Sequence, residues 1–180
     1  AHADCDDDGG LALSLGLAER DPCGWRARRD ARSVPIEFGV ERAHAGEDFF
    51  EAVHAERGAI ILEPGEFHVF ASRERIAVPP HLAAEMLPVD VGIGELRNNY
   101  AGFFDPGFGW PVGASRGAPV GTPAVLEVRA HDVPFVVEEG QVFFRLKWFR
   151  TAGIPQRLYG EGRAASSYRA QDLTLARCFR

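Results

Sequence analysis

Tyr100-Ala-Gly-Phe-Phe-Asp105-Pro-Gly-Phe-Gly109 and, after a proline- and glycine-rich interval, Ala124-Val-Leu-Glu127-Val-Arg129-Ala130 are the two stretches on which the fold turns. The first reads as a strand entering a sharp bend. Pro106 fixes its own φ, Gly107 can take positive φ, and Asp105 can bond the backbone of the turn it opens. The second alternates with period two. Val125, Glu127 and Arg129 fall on one face of a strand, and Leu126 and Val128 on the other. A carboxylate in the middle of an apolar strand is costly unless it is paired, hydrated or put to use. An acid at the turn and an acid on the following strand could converge on one pocket.

The same alternation recurs on both sides of this centre. Leu11, Leu13, Leu15 and Leu17 form one set, and Val34, Ile36, Phe38 and Val40 another. Further strands are expected at Ala59–Leu62, Phe67–Ala71, Ile76–Val78, Val133–Val137, Gln141–Phe149 and Leu173–Leu175. The best helix candidate is Gly46–Glu56. Its apolar stripe is Phe49, Phe50 and Val53, with Glu47 and Asp48 near the start, where the helix dipole favours acids, and Gly58 as its stop. His81–Met86 has room for one helical turn. Trp25–Arg32 is basic and reads either as a solvated edge strand or as a phosphate contact. His68, opposite Phe67 and Val69, is expected to be a surface or satisfied histidine, and residues 111–123 an exposed loop. Many short strands with one short helix point to an all-β barrel or sandwich. Residues 1–10, with Asp4, Asp6, Asp7 and Asp8, read as a flexible acidic tail, and residues 11–180 as a single domain.

Composition bounds the function. The 180 residues are 46% hydrophobic and 26% charged, as in ordinary globular proteins. The formal net charge of −6 supplies no global field toward nucleic acid or an anionic membrane surface. A phosphorylated ligand would need a local arginine cluster. Lys147 is the one lysine among 20 basic residues, and arginine suits bidentate phosphate binding. Cys5, Cys23 and Cys178 are scattered and odd in number, which favours a reducing cytoplasm over a disulfide framework. No apolar run approaches membrane-spanning length. The chain starts with Ala rather than Met, as a fragment or a processed product would.

Phe104-Asp-Pro-Gly-Phe-Gly109 followed by Val125-Leu-Glu-Val128 resembles the signature of the dCTP deaminases, within the dUTPase-like superfamily. The likeness extends to Leu62-Glu-Pro-Gly65, Val78-Pro-Pro80, Val133-Pro-Phe135, Gly140-Gln141 and Ser166-Ser-Tyr168-Arg-Ala-Gln171. It covers most of residues 25–180 and is greatest with the second half of a long, two-module form. The resemblance implies a distorted β-barrel that works as a trimer with shared active sites, and hydrolytic deamination of dCTP to dUTP and ammonia. It implies Glu127 as general base and proton shuttle, without zinc. The chain carries no His-x-Glu…Pro-Cys-x-x-Cys signature, with which zinc deaminases activate water. Mg²⁺ is expected to arrive on the triphosphate, because it keeps much of its own water and pairs with substrate phosphates.

The resemblance also implies that the Asp-Pro-Gly turn borders the nucleoside pocket and that the C-terminal segment closes over the nucleotide. The residues expected at the substrate are Arg97, Tyr100, Phe104, Asp105, Gly107, Arg129, Tyr168 and Gln171. One departure concerns the phosphate end. The usual Arg-Ser-Ser-x-x-Arg segment corresponds here to Val89-Asp-Val-Gly-Ile-Gly-Glu-Leu-Arg97, shorter and without the serine pair, with Arg97 standing for the last arginine. The exact nucleotide therefore stays open at this level. So do three other readings: a dUTPase or bifunctional deaminase/diphosphatase, a non-catalytic nucleotide-binding module of a larger enzyme, and, more distantly, a cupin-type metal barrel.

Overall fold

A computed structural model describes residues 10–33, 35–88, 96–98, 102–111, 121–161 and 173–180. Its strands, in chain order, are β1 (Leu11–Ser14), β2 (Gly24–Ala27), β3 (Phe50–Val53), β4 (Ala59–Leu62), β5 (Phe67–Ile76), β6 (Leu82–Pro88), β7 (Leu96–Asn98), β8 (Phe103–Phe104), β9 (Thr122–Ala130), β10 (Phe135–Glu138) and β11 (Val142–Arg150). They form a five-stranded sheet, β3-β2-β5-β9-β7, a four-stranded sheet, β1-β11-β6-β8, and a two-stranded ladder, β10-β4. Every strand pair is antiparallel. The all-β expectation holds. Among the described residues the three sheets remain separate ladders rather than one closed ring.

The alternation of β9 becomes an alternation of burial. Leu126, Val128 and Ala130 lie in the core, while Val125, Glu127 and Arg129 are half-buried on the other face. The core continues through Leu13, Leu15, Phe70, Phe144 and Leu146. Leu15 bridges to Ser72 of β5, which ties β1 of one sheet to the other. At that point β5 bulges, its register with β9 shifting between Ala71 and Arg75. The buried Ser72 hydroxyl mends the ladder: it accepts the Ala124 N–H at 2.8 Å and donates to the Glu74 carbonyl at 2.7 Å. Buried backbone donors require such a partner.

The structure corrects several local expectations. No helix occupies 46–56. Gly46–Asp48 makes a single 3-10 turn, and Phe50–Val53 then pairs with β2. Phe and Val also suit a pleated surface, and partner strands decided between the two periods. Residues 81–86 run into β6, held in register by β11, rather than into a helical turn. Residues 35–40 form no strand, and Ile36, Phe38 and Val40 stay 46%, 74% and 51% exposed. Pro35 lacks an amide donor, and among the described residues no neighbouring strand pairs with this segment. Leu173–Leu175 is likewise not a strand. β2 is interior, not an edge. Its Arg26 meets Glu51 at 2.9 Å and Glu66 at 3.4 Å, Arg29 meets Glu66 at 3.2 Å, and Arg28 meets Asp30 at 3.2 Å. These arginines are engaged by carboxylates. His68 is neither on the surface nor fully satisfied. It is 2% exposed and stacked on Phe70, and its Nδ1 has no hydrogen-bond partner among the described residues. Burial, helped by the charge of Arg26, pulls its pKa down to about 4. The predicted loop at 111–123 lies largely outside the described residues, as do residues 1–9.

Candidate active site

Glu127 stands on β9 directly opposite Val69 of β5. Its face of the sheet borders a cavity of about 750 Å³, within the range that holds a nucleotide-sized ligand. Phe50, Phe67, Val69 and Val125 form the floor, and Met86 and Gly102 close one side. Two segments outside the sheet supply the remaining wall: Ile36 and Phe38 from the 35–40 loop, and residues 174–176, 178 and 179 near the C-terminus. Among the described residues lining the cavity, Glu127 is the one carboxylate. Burial among apolar neighbours pushes its pKa above the ordinary 4.5. The sequence left a second influence open, since Arg129 shares the face and would pull the other way. The structure shows where Arg129 goes. Its Nη1 donates to the Gly65 carbonyl at 3.0 Å, and its guanidinium lies 5.6 Å from the centre of the Phe67 ring. Desolvation is the cause of the shift.

The Asp-Pro-Gly turn has a geometry of its own. The Asp105 carbonyl accepts the Phe108 N–H at 3.0 Å, and Gly107 sits at φ 97° after Pro106, the type II arrangement. The turn is stitched to the β5–β6 connection on one side. Gly107 N–H donates to the Val78 carbonyl at 3.0 Å, and Val78 N–H to the Phe108 carbonyl at 2.8 Å. On the other side, Tyr159 N–H donates to the Pro106 carbonyl at 2.8 Å. A Cβ on Gly107 would lie 2.6 Å from Leu158 Cβ. Phe104 is in the core, its ring edge-on to Phe108 at 5.0 Å, while Phe103 is 71% exposed. Neither Phe104, exposed Asp105 nor buried Gly107 lines the cavity beside Glu127. The cavity reaches only to Gly102, just upstream. In this chain the turn braces the fold next to the cavity.

The remaining expected site residues divide in two. Arg97 lies on β7, in register opposite Arg129 and one strand over from Glu127. Tyr100, Tyr168 and Gln171 lie outside the described residues, as does the shortened segment 89–95. The sequence reading missed the cavity's outer wall. The C-terminal residues dock on their own chain: Trp25 Nε1 donates to the Leu173 carbonyl at 3.2 Å, and the Phe179 ring packs at 5.6 Å from Phe49 and 5.3 Å from Phe50. An aromatic residue next to the terminus was the available signal.

A sequence model of the family described as "2'-deoxycytidine 5'-triphosphate deaminase (DCD), C-terminal domain" matches residues 1–179. A protein named "dCTP deaminase, dUMP-forming" from Beutenbergia cavernae is 31% identical over 116 residues, 63% of this chain and 54% of that protein. One of the same name from Corynebacterium glutamicum (strain R) is 28% identical over 123 residues, 66% of this chain and 59% of that protein. The crystal structure of 2'-deoxycytidine 5'-triphosphate deaminase from Agrobacterium tumefaciens shares the dUTPase-like β fold. Its TM-score is 0.68 at 37% identity, over 86% of this chain and 43% of that one. The chain thus spans a little over half the length of these curated relatives and less than half of the solved neighbour. A family match that takes in both the Asp-Pro-Gly turn and the Leu-Glu strand, joined to this fold, leads to one conclusion: the chain belongs to the 2'-deoxycytidine 5'-triphosphate deaminase family, in its C-terminal domain.

Proposed function

We propose that this chain provides the nucleotide site of a cytoplasmic dCTP deaminase, converting dCTP and water to dUTP and ammonia in deoxynucleotide metabolism. The observation that carries the reading is Glu127, a carboxyl group of raised pKa facing an apolar cavity large enough for a nucleoside. In the proposed reaction Glu127 takes a proton from the water that attacks C4 of the cytosine. It passes that proton to ring N3, then takes the proton of the new C4 hydroxyl and delivers it to the C4 amino group, so that ammonia leaves and the C4 carbonyl forms. A carboxyl group made more basic by burial suits proton uptake. No zinc enters this scheme; Mg²⁺ comes with the triphosphate as part of the substrate.

Arg97 is proposed to hold a phosphate, supported by its register opposite Arg129 on the strand beside that of Glu127. Tyr100, Tyr168 and Gln171 are proposed contacts to the nucleotide. Asp105 and Gly107 are proposed to shape the pocket's border through the turn rather than to line the cavity. Arg97→Ala is expected to raise KM for dCTP by about ten- to a hundredfold, the worth of a charge-assisted hydrogen bond. kcat should change little, because a fixed guanidinium–phosphate contact serves ground and transition states alike. Steady-state kinetics checks this. An unchanged KM with a collapsed kcat would move Arg97 out of the phosphate role.

A second reading has a specific support: the curated relatives are named dUMP-forming. On that reading the same site also cleaves between the α- and β-phosphates. Incubating the chain with dCTP and Mg²⁺, and separately with dUTP and Mg²⁺, while assaying ammonia and pyrophosphate, distinguishes the two. The deaminase reading predicts ammonia from dCTP. Pyrophosphate accompanying it supports the bifunctional form, and pyrophosphate without ammonia contradicts deamination. The assembly is proposed to be a homotrimer with shared sites, supported by apolar side chains left exposed at Phe103, Ile61 and Val136. A monomer by light scattering at micromolar concentration would contradict it.

A further inference from the structure

The cavity beside Glu127 owes its outer wall to two segments far apart in sequence, the 35–40 loop and the C-terminal residues, and both meet at His44. The His44 backbone binds the C-terminus. Its N–H donates to the Cys178 carbonyl at 3.0 Å, and its carbonyl accepts the Arg180 N–H at 2.9 Å. The His44 side chain binds the loop, with Nε2 accepting the Glu37 N–H at 2.8 Å. That bond uses the Nε2 lone pair as its acceptor. The ring is placed by aromatic contacts, edge-on to Phe49 at 5.3 Å and 6.3 Å from Phe179. Phe179 lines the cavity, and so do Ile36 and Phe38, on either side of Glu37. One half-buried histidine therefore ties together both parts of the wall.

We propose that His44 is a positioning residue, fastening the 35–40 loop against the C-terminal segment so that Ile36 and Phe38 complete the cavity for the nucleotide base. Its kinetic consequence rests on the deaminase reading, whereas the fastening itself rests on geometry. Nothing else described holds Ile36 and Phe38 by backbone pairing: the loop forms no strand, and Val40 N–H to Glu37 carbonyl at 3.2 Å is internal to it. Loss of the ring acceptor should therefore loosen the loop while leaving the sheet intact.

The test compares the whole chain with His44→Phe and His44→Gln. Phe keeps an aromatic ring against Phe49 but removes the acceptor. Gln can place an amide oxygen near the Nε2 position. Amide exchange of residues 35–40 in His44→Phe is expected to rise about five- to tenfold, the scale of one hydrogen bond. KM for dCTP should rise about three- to tenfold on the same grounds, with kcat within about twofold. His44→Gln should return both toward wild type, a rescue that mere loss of packing would not give. Unchanged exchange in His44→Phe overturns the fastening. Faster exchange with an unchanged KM overturns its role at the site. A wild-type chain that releases no ammonia from dCTP would sink the deaminase reading, and the exchange comparison would then decide the fastening by itself.

Discussion

Glu127→Gln is expected to slow ammonia release from dCTP by about a hundredfold or more, the scale of losing a general base, while the protein still folds and binds nucleotide. Gln keeps the size of the side chain and loses only its capacity to take a proton. The same substitution should change stability in a pH-dependent way. Burial raises the folded-state pKa of Glu127 above its ordinary value of 4.5. The folded state therefore holds this proton more tightly than the unfolded chain does. Well below the ordinary value both states are protonated and burial carries no ionisation cost. As pH rises through the ordinary value the unfolded chain ionises first and stability falls, and above the folded value the full cost is present. Gln never ionises, so thermal unfolding at neutral pH is expected at a higher temperature in the variant, with the gain fading below about pH 4. A variant less stable than wild type at neutral pH, with nucleotide binding lost, would make Glu127 a structural residue.

Gly109→Ala is expected to destabilise the fold by about 3–5 kcal/mol, combining left-handed backbone strain with overpacking. Gly109 sits at φ 61°. A Cβ there would lie 2.1 Å from the Ile76 carbonyl oxygen and 2.8 Å from Thr122 N, both backbone atoms that cannot rotate away. Ile76 ends β5 and Thr122 begins β9, so the clash falls where the strand bearing Glu127 enters the sheet. Gly109 also accepts the Gly121 N–H at 3.1 Å. Gly153 is the control, since a Cβ there meets nothing within 4 Å and its φ is not positive. Gly153→Ala should fall within about 0.5 kcal/mol of wild type, as surface changes usually do. Chemical denaturation of the two variants gives both numbers, and equal midpoints would contradict the bracing role of the Phe-Asp-Pro-Gly-Phe-Gly turn.

These two residues also show what could be read without coordinates. The two faces of β9 were legible because period-two alternation translates directly into burial, and Glu127 stood out as the acid on that strand. The turn was legible because proline and glycine are the residues that best suit its two central dihedrals. The pattern at 46–56 was ambiguous, since Phe49, Phe50 and Val53 fit a helical stripe as well as the start of a strand, and pairing with β2 settled it. Ile36 and Phe38 alternate like a strand but serve as cavity wall, a role created by contacts with the C-terminus that local sequence does not encode. Arg129 shows the same limit. Its place on the face of Glu127 was readable, but its bond to the Gly65 carbonyl depends on where a distant turn comes to rest.

The pH dependence of kcat/KM for ammonia release from dCTP with Mg²⁺ tests the role of Glu127 most directly. Its acid limb reports the essential base in the free enzyme. Measurable release is expected, with an acid-limb midpoint above 4.5, the ordinary glutamate value. No ammonia from dCTP at any pH, or an acid limb at or below that value, would contradict that role.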